Sequence, residues 1–190
     1  MAERSLATMF GVGNAKRAPG TFGSLAALLL AYPLLLAPFG WAVMVASIPV
    51  LTYLGARSST RYMQARGIKE AKIIHDPSAI VVDEWAGQWL TFSVWHGWLF
   101  AMTGSMEAGM ALLQEIAASP QHLAFGFVLF RFFDILKPWP IRWADRRIKG
   151  GFGVMFDDLL AGLAAGTVLF AIYFFGPLMS GTMDMADSGV

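Results

Sequence analysis

Five apolar runs divide the chain, and short polar or basic segments separate them. The runs comprise residues 24–38, 41–56, 79–102, 123–136 and 154–175. Apolar runs of this kind are typical of helices that cross a membrane, where every backbone polar group must be satisfied within the helix. The pattern therefore predicts an all-α, polytopic helical membrane protein with about five apolar helical segments.

The first two runs are shorter than the others and nearly contiguous. At about 1.5 Å per residue each run is near 24 Å long, less than the roughly 30 Å of a bilayer core. A Phe39–Gly40 turn joins them, and Pro33 lies where it would kink the first arm. We expect a short helical hairpin, and the pattern leaves open whether it crosses the bilayer or re-enters on one side.

Composition supports a membrane chain and excludes several chemistries. Of the 190 residues 56% are hydrophobic and only 14% are charged, against about 25% charged in soluble domains. The chain has no cysteine, which excludes disulfides, thiolate metal sites and a cysteine nucleophile. A net charge of +1 gives no indication of nucleic-acid binding. We expect one membrane-embedded domain over residues 1–176, a flexible tail over 177–190, and no cleaved signal peptide.

The positions of the cations predict the orientation of the chain. Of the 14 Lys and Arg residues, 13 lie in the N-terminal arm, in residues 57–72 or in residues 137–153. Residues 103–121 and 176–190 contain none. Because cytoplasmic segments retain positive charge, five passes would place the N-terminus inside and the C-terminus outside. Residues 104–118 are weakly amphipathic, and either an interfacial helix or a simple connecting helix would fit them.

Five carboxylates lie near the ends of apolar runs, at one predicted depth. They are Asp83, Glu84, Asp134, Asp157 and Asp158. With the orientation above, all five fall within some 4–8 Å of the cytoplasmic boundary. Ionised groups at the edge of hydrocarbon need a partner, and oxygen ligands suit Mg²⁺. We predict a magnesium site on the cytoplasmic side; the alternative is that each acid caps its own helix or pairs with a nearby cation.

Two cations share a helix face with one of these acids. Arg131, Asp134 and Lys137 follow one another at intervals of three residues. Arg131 could either neutralise Asp134 or hold a ligand anion through its planar fork of donors. Pro138 and Pro140 then end the helix.

The segments before the first and third runs contain further candidates. Residues 11–24 are rich in glycine, and Lys16, Thr21 and Ser24 could contact a phosphate, although a flexible juxtamembrane arm is the simpler interpretation. His75 and Asp76 precede the third run, and His75 could be a general acid or a solvated loop residue. His96 lies in the middle of a run, where a packing role is expected.

A divalent ion, an anion-binding cation and a position at lipid level together suggest a lipid phosphomonoester as the substrate. Mg²⁺ would neutralise phosphate oxygens and could activate a water, while Arg and Lys side chains stabilise the charge of an in-line displacement.

Three segments resemble the phosphatidylglycerophosphatase A family. They are GVGNAKRAPGTFGSLAAL, HDPSAIVVDEWAGQW and FRFFDILKPWPIRWADRRIKGGFGVMFDDLLAG. The resemblance implies a bacterial inner-membrane, Mg²⁺-dependent phosphatase that converts phosphatidylglycerophosphate into phosphatidylglycerol and inorganic phosphate. It leaves open whether water attacks directly or an aspartyl-phosphate forms.

The resemblance also implies roles for the candidate residues. Metal ligands would be Asp83, Glu84, Asp134, Asp157 and Asp158. Catalytic groups would be His75, Asp76, Asp83 and Asp134. Phosphate contacts would be Lys16, Thr21, Ser24, Arg131 and Lys137. Competing hypotheses are another membrane phosphatase or phosphotransferase, an ion-coupled transporter and a non-catalytic scaffold; a transporter is disfavoured because the acids lie at one face and no internal repeat is visible.

Overall fold

The computed structural model describes residues 2–37, 39–67, 77–105, 107, 109, 111 and 120–179. Across those ranges the chain forms seven α-helices and one 3₁₀ turn, with no strand, so the all-α prediction is confirmed. The helices are α1 (Ala2–Ala7), α2 (Pro19–Leu36), α3 (Gly40–Ala65), α4 (Val82–Thr103), α5 (Pro120–Leu136), α6 (Ile141–Arg147) and α7 (Gly150–Met179), and the 3₁₀ turn is Val12–Asn14.

The first two long helices form a hairpin whose arms differ in length. α2 has 18 residues and α3 has 26, which correspond to about 27 Å and 39 Å. The first arm is shorter than a bilayer core of roughly 30 Å, as expected, whereas the second arm is longer than its apolar run predicted. The reason is that α3 continues past the apolar run to Ala65, where Tyr62 and Met63 are buried on its inner face. Pro33 and Pro49 lie inside the two helices.

The outer surface of the bundle indicates a membrane protein. Two stretches, Pro19–Leu36 and Gly150–Phe175, are long and apolar enough to cross a bilayer. Large apolar side chains point outward along several helices, among them Leu29 at 66% exposure and Phe125 at 60%. Lipid tails would cover such a surface, whereas water would not be a favourable neighbour. Five passes, with the N-terminus inside, remain a prediction.

α4 lies at the centre of the bundle and packs very closely on α7. A Cβ added at Gly162 would overlap the carbonyl of Gly87, and one at Gly166 would overlap that of Thr91. Small residues allow two backbones to approach in this way, as they commonly do between membrane helices. The contact brings the first turns of α4 beside the third turn of α7.

Two predicted segments fall largely outside the described residues. Of the weakly amphipathic stretch 104–118, the structure describes only residues 104, 105, 107, 109 and 111. α7 extends to Met179, three residues past the predicted domain boundary, and residues 180–190 are not described. The flexible tail therefore stays a prediction.

Candidate active site

A cavity of about 470 Å³ opens at the end of the bundle where α2 and α4 begin and α5 ends. Six carboxylates and two cations line it, so negative charge is in clear excess. The charged lining residues are Asp83, Glu84, Asp134, Asp145, Asp157, Asp158, Arg131 and Lys137. All five acids that the sequence nominated thus meet at one place, although they come from three helices.

Three of the carboxylates form a tight cluster. Oxygens of Asp83, Glu84 and Asp158 lie within 4.8 Å of one another. Asp83 and Asp158 are buried, and the Glu84 side chain is only 12% exposed. Three ionised carboxylates this close repel one another strongly in a poorly solvated site. A cation shared among them would relieve that repulsion.

The donor set of this cluster fits a hard divalent ion. Glu84 Oε2 is buried and has no hydrogen-bond partner among the described residues, so it is available to a ligand. The donors are all carboxylate oxygens, which Mg²⁺ and Ca²⁺ prefer and which softer metals do not require. We take the cluster of Asp83, Glu84 and Asp158 as the candidate metal centre.

Local structure explains why these acids tolerate this position. Asp83 and Glu84 lie in the first turn of α4, where unpaired backbone N–H groups favour negative charge. The Glu84 N–H donates to Asp83 Oδ1 at 3.0 Å. Val81, which directly precedes α4, is anchored as well, because its N–H donates to the Ala7 carbonyl at 2.9 Å. On the other side, Gly87 leaves room for the backbone of Asp158.

Arg131 lies at the edge of the cluster and contacts three elements. Its Nη1 is 2.7 Å from Asp134 Oδ2 and 3.6 Å from Glu84 Oε1. The same nitrogen lies 3.4 Å from the Ser24 hydroxyl oxygen. The short contact with Asp134 shows that Arg131 neutralises this carboxylate. Arg131 can also hold an anion, because its Nε has no partner in the described part of the chain.

Lys137 joins two carboxylates in the wall of the cavity. Its Nζ lies 2.6 Å from Asp145 Oδ1 and also contacts Asp157 Oδ2. Burial lowers the pKa of the Lys137 ammonium, but the negative charges of Asp157 and Asp145 outweigh burial and raise the pKa above its ordinary value. Asp157 is almost fully buried against this ammonium. It is therefore held by Lys137 and does not belong to the three-carboxylate cluster.

The N-terminal candidates occupy three different positions. Ser24 is fully buried and donates its hydroxyl to the Gly20 carbonyl at 3.0 Å, so it lies behind the cavity wall. Thr21 is half-buried and Lys16 is exposed, and neither lines the cavity. Gly20 lines the cavity instead. A side chain does not fit at this position, because a Cβ would overlap the Glu84 carboxylate.

His75 and Asp76 lie outside the described residues. The residues that follow them, Pro77 and Ser78, line the cavity. The other two histidines are far from it in an aromatic cluster, where His122 stacks on Trp95 at 5.2 Å between ring centroids and His96 lies 4.7 Å from the same ring. The packing position expected of His96 agrees with this arrangement.

Asp145 is the site residue that sequence reasoning missed. It follows two prolines, in a segment where only basic residues drew attention. A signal was present: Ile141, Ala144 and Asp145 are spaced as one face of a helix. The structure shows Ile141 and Ala144 buried, with Asp145 beside them facing Lys137.

Comparisons with known proteins give a consistent result. Residues 5–173 match the family model of phosphatidylglycerophosphatase A. Phosphatidylglycerophosphatase A of Escherichia coli K12 is 35% identical over 173 residues, which cover 91% of this chain and 84% of that protein. The Haemophilus influenzae protein of the same name is 34% identical over 169 residues, covering 89% and 87%.

A third relative has a different substrate in its name. A Bacteroides thetaiotaomicron protein, provisionally named phosphatidylinositol-3-phosphatase, is 31% identical over 168 residues, which cover 83% of this chain and 85% of that protein. No solved structure matches the chain.

Proposed function

This chain belongs to the phosphatidylglycerophosphatase A family and is therefore a phosphatase, a phosphoric monoester hydrolase; from that premise we propose that it converts phosphatidylglycerophosphate into phosphatidylglycerol and inorganic phosphate. The observation that supports this proposal most directly is the buried cluster of Asp83, Glu84 and Asp158 beside Arg131 in one cavity. Carboxylates suit a divalent cation, and a guanidinium suits a phosphate oxygen.

We propose Mg²⁺ as the resident ion of this cluster. When bound, it would neutralise phosphate oxygens and lower the pKa of a coordinated water. Asp83, Glu84 and Asp158 hold it, while Asp157 acts through Lys137 and outside the immediate ligand set. Asp134 either completes the ligand shell or serves as the base, as the sequence had suggested.

The guanidinium of Arg131 binds a non-bridging phosphate oxygen in this proposal. Asp134 and Ser24 hold the guanidinium at 2.7 Å and 3.4 Å, so its position is fixed before substrate binds. Ser24 thereby supports Arg131 and has no direct phosphate contact, which revises the role expected from sequence. Contacts of Lys16 and Thr21 with phosphate stay predictions.

The reaction that we propose is a direct displacement by water. The water oxygen bonds to phosphorus while the bond from phosphorus to the glycerol oxygen breaks, and the water gives its proton to the Asp134 carboxylate. The departing alkoxide takes a proton from His75 or Asp76. The position of Pro77 and Ser78 in the cavity wall supports this assignment, because the two donors directly precede them.

An aspartyl-phosphate intermediate is the alternative mechanism. Rapid-quench analysis with a ³²P-labelled substrate would separate the two routes. The water route predicts no acid-stable phosphoprotein at any time during turnover. A trapped phosphoprotein that decays at the rate of turnover would establish the covalent route.

We also propose that the site faces the cytoplasm of a bacterial inner membrane. The support is the charge distribution: the basic residues 57–66 and 137–149 lie at the same end of the bundle as the cavity.

Phosphate release from the purified protein tests the function. We expect release from phosphatidylglycerophosphate that EDTA abolishes and added Mg²⁺ restores. The Asp158→Asn variant should lose more than about 100-fold, since even residues outside the ligand shell of a metal commonly cost 10–100-fold. Glu107→Gln changes an exposed carboxylate outside the cavity and should leave activity unchanged.

A panel of lipid phosphates tests the substrate assignment. Phosphatidic acid and phosphatidylinositol-3-phosphate belong in the panel, the second because of the Bacteroides relative. Turnover that favours either of them over phosphatidylglycerophosphate would favour another lipid-phosphate phosphatase. No phosphate release from any member would contradict the phosphatase assignment and favour a transporter or scaffold.

A further inference from the structure

The outer face of α6 carries a compact set of aromatic and cationic side chains. On a helical wheel Ile141, Ala144 and Asp145 face inward, and the remaining side chains fill an outward arc of about 140°. We call this surface the Trp–Arg patch. It consists of Arg142, Trp143, Arg146 and Arg147 on α6, together with the exposed Trp139 before the helix and Lys149 after it.

Its two indole rings are unusually exposed. Trp139 is 83% exposed and Trp143 is 52% exposed, and Phe152 at the start of α7 is 51% exposed. Tryptophan combines an apolar ring with one polar N–H, so it favours the boundary between lipid tails and water over either phase alone. Exposed rings at this end of a membrane bundle therefore indicate contact with the interface.

Two of the cations are not used within the fold. Arg142 donates to the Leu136 carbonyl at 3.1 Å, and Lys149 donates to the Asp145 carbonyl at 2.9 Å. Arg146 and Arg147 are exposed and make neither an ion pair nor a hydrogen bond with another described residue. Their charge is thus available to an external anion.

The combination of indole rings and cations indicates which partner the Trp–Arg patch binds. The outward arc of α6 bears no acidic side chain, so its complement is an anionic surface with an apolar layer beneath it. A bilayer leaflet containing anionic phospholipid has this layered chemistry, with phosphates at the level of the guanidinium groups and acyl chains at the level of the indole rings.

We propose that the Trp–Arg patch docks on the anionic phospholipid headgroups of the surrounding leaflet. The patch adjoins the cavity through α6 itself, since Asp145 on the inner face contacts Lys137. Docking of the outer face thus holds α6, and with it the cavity wall, at the depth where a lipid headgroup enters. The proposal rests on the placement of the bundle in a membrane and is independent of the phosphatase chemistry.

Site-specific fluorescence in nanodiscs tests this docking. The chain has no cysteine, so Trp143→Cys provides a single labelling site for an environment-sensitive fluorophore. We compare nanodiscs of phosphatidylcholine alone with nanodiscs that contain about 30 mol % phosphatidylglycerol, an anionic content within the range of natural leaflets. The emission should shift to the blue and gain roughly twofold in intensity with the anionic lipid, and about 1 M salt should reverse the change.

Two double variants that each remove two positive charges show whether the patch causes the change in emission. Arg146→Gln with Arg147→Gln in the labelled protein should abolish the response to anionic lipid. Arg4→Gln with Arg57→Gln removes the same charge from exposed positions outside the patch, and should preserve the response.

Three results would overturn the proposal. They are equal emission in both kinds of nanodisc, an equal loss of response in the two double variants, and a blue shift in pure phosphatidylcholine that appears only when a nanodisc holds two copies of the protein. The last result would assign the patch to contact between copies of the chain. Since the emission does not depend on turnover, failure of this test leaves the phosphatase assay unaffected.

Discussion

Lys137 shows how one cation can hold two carboxylates of the site in place. It contacts Asp157, which is 2% exposed, and Asp145, which is 30% exposed. A buried carboxylate without its cation is strongly unfavourable, whereas a partly exposed one is readily solvated. The two halves of the bridge should therefore contribute very differently to stability.

Replacement of Lys137 by Met should destabilise the protein by about 3–5 kcal/mol, because Asp157 is left buried without a cation. Asp145→Asn should cost less than about 1 kcal/mol, because solvent screens this partner. Denaturant unfolding in detergent measures both. Equal losses in the two variants would contradict the assignment of Asp157 as the main partner.

The pH dependence of the Lys137 bridge follows from the direction in which the pKa of Lys137 is shifted. The pKa of Lys137 is raised in the folded state, so the stabilisation is fully present below the unfolded pKa of about 10.4 and is lost only as pH rises toward the higher folded value. The difference in stability between the native protein and Lys137→Met should stay constant from pH 7 to 9. A decline within that interval would show that the ammonium titrates earlier than its two anionic partners allow.

The sequence nominated five acids that line one cavity, but it did not show how they group. Position along a helix gives depth, and the depths of Asp83, Glu84, Asp134, Asp157 and Asp158 were enough to place them in one layer. Which of them converge depends on the rotation of each helix about its axis, and the apolar runs are too uniform to show that. The sequence therefore could not show that the adjacent residues Asp157 and Asp158 make different contacts.

At the scale of elements, the α4–α7 contact positions the candidate metal centre. Asp83 and Glu84 lie on α4 and Asp158 lies on α7, so the spacing of these helices sets the distance between their carboxylates. Gly87 and Gly162 set that spacing, since a Cβ at Gly162 would overlap the Gly87 backbone. The glycines are therefore part of the site, although none of them touches a ligand.

Gly162→Ala should force the two helices apart and destabilise the protein by about 1–3 kcal/mol, as overpacking of a tight interface does. Phosphatase activity should fall as well, with a higher Mg²⁺ concentration needed for half-maximal turnover. Assays at varied Mg²⁺ with parallel unfolding curves measure both effects. Gly97→Ala on α4 is the control, because a Cβ there meets nothing within 4 Å; comparable losses in both variants would contradict the role of the α4–α7 contact.

Helix existence was predictable from the apolar runs, whereas helix ends were not. α3 runs on to Ala65 and α7 starts at Gly150, four residues before its apolar run. The extension of α3 buries Tyr62 and Met63 on one face, and the extension of α7 consists of three glycines and the exposed Phe152. The bounds of an apolar run do not include such segments, and this explains why the second arm of the hairpin is longer than expected.

At the scale of the whole molecule, the distribution of charge and the exposed apolar surface are both those expected of a membrane enzyme. The cavity and the Trp–Arg patch lie at the same end of the bundle, and exposed apolar side chains cover the rest of the helices. This arrangement is expected of an enzyme that removes phosphate from a lipid headgroup while the acyl chains stay in the leaflet. In the orientation that we propose, the basic segments at this end face the cytoplasm.

Single cysteines in this cysteine-free chain test the orientation. Glu107→Cys should react with a membrane-impermeant maleimide in intact cells, because the cation-free connection is predicted to face outward. Gln64→Cys, exposed near the end of α3, should react only after the membrane is opened. The reverse pattern would place the cavity on the outer side of the membrane.

The central claim is that Asp83, Glu84 and Asp158 hold a divalent cation, and binding of Mn²⁺ as a paramagnetic substitute for Mg²⁺ tests it most directly. Electron paramagnetic resonance of the free ion counts bound Mn²⁺ without any need for turnover. We predict saturable binding that Mg²⁺ competes away, lost in Asp83→Asn, Glu84→Gln and Asp158→Asn and retained in Glu107→Gln. Full Mn²⁺ binding in the three cluster variants would contradict the account.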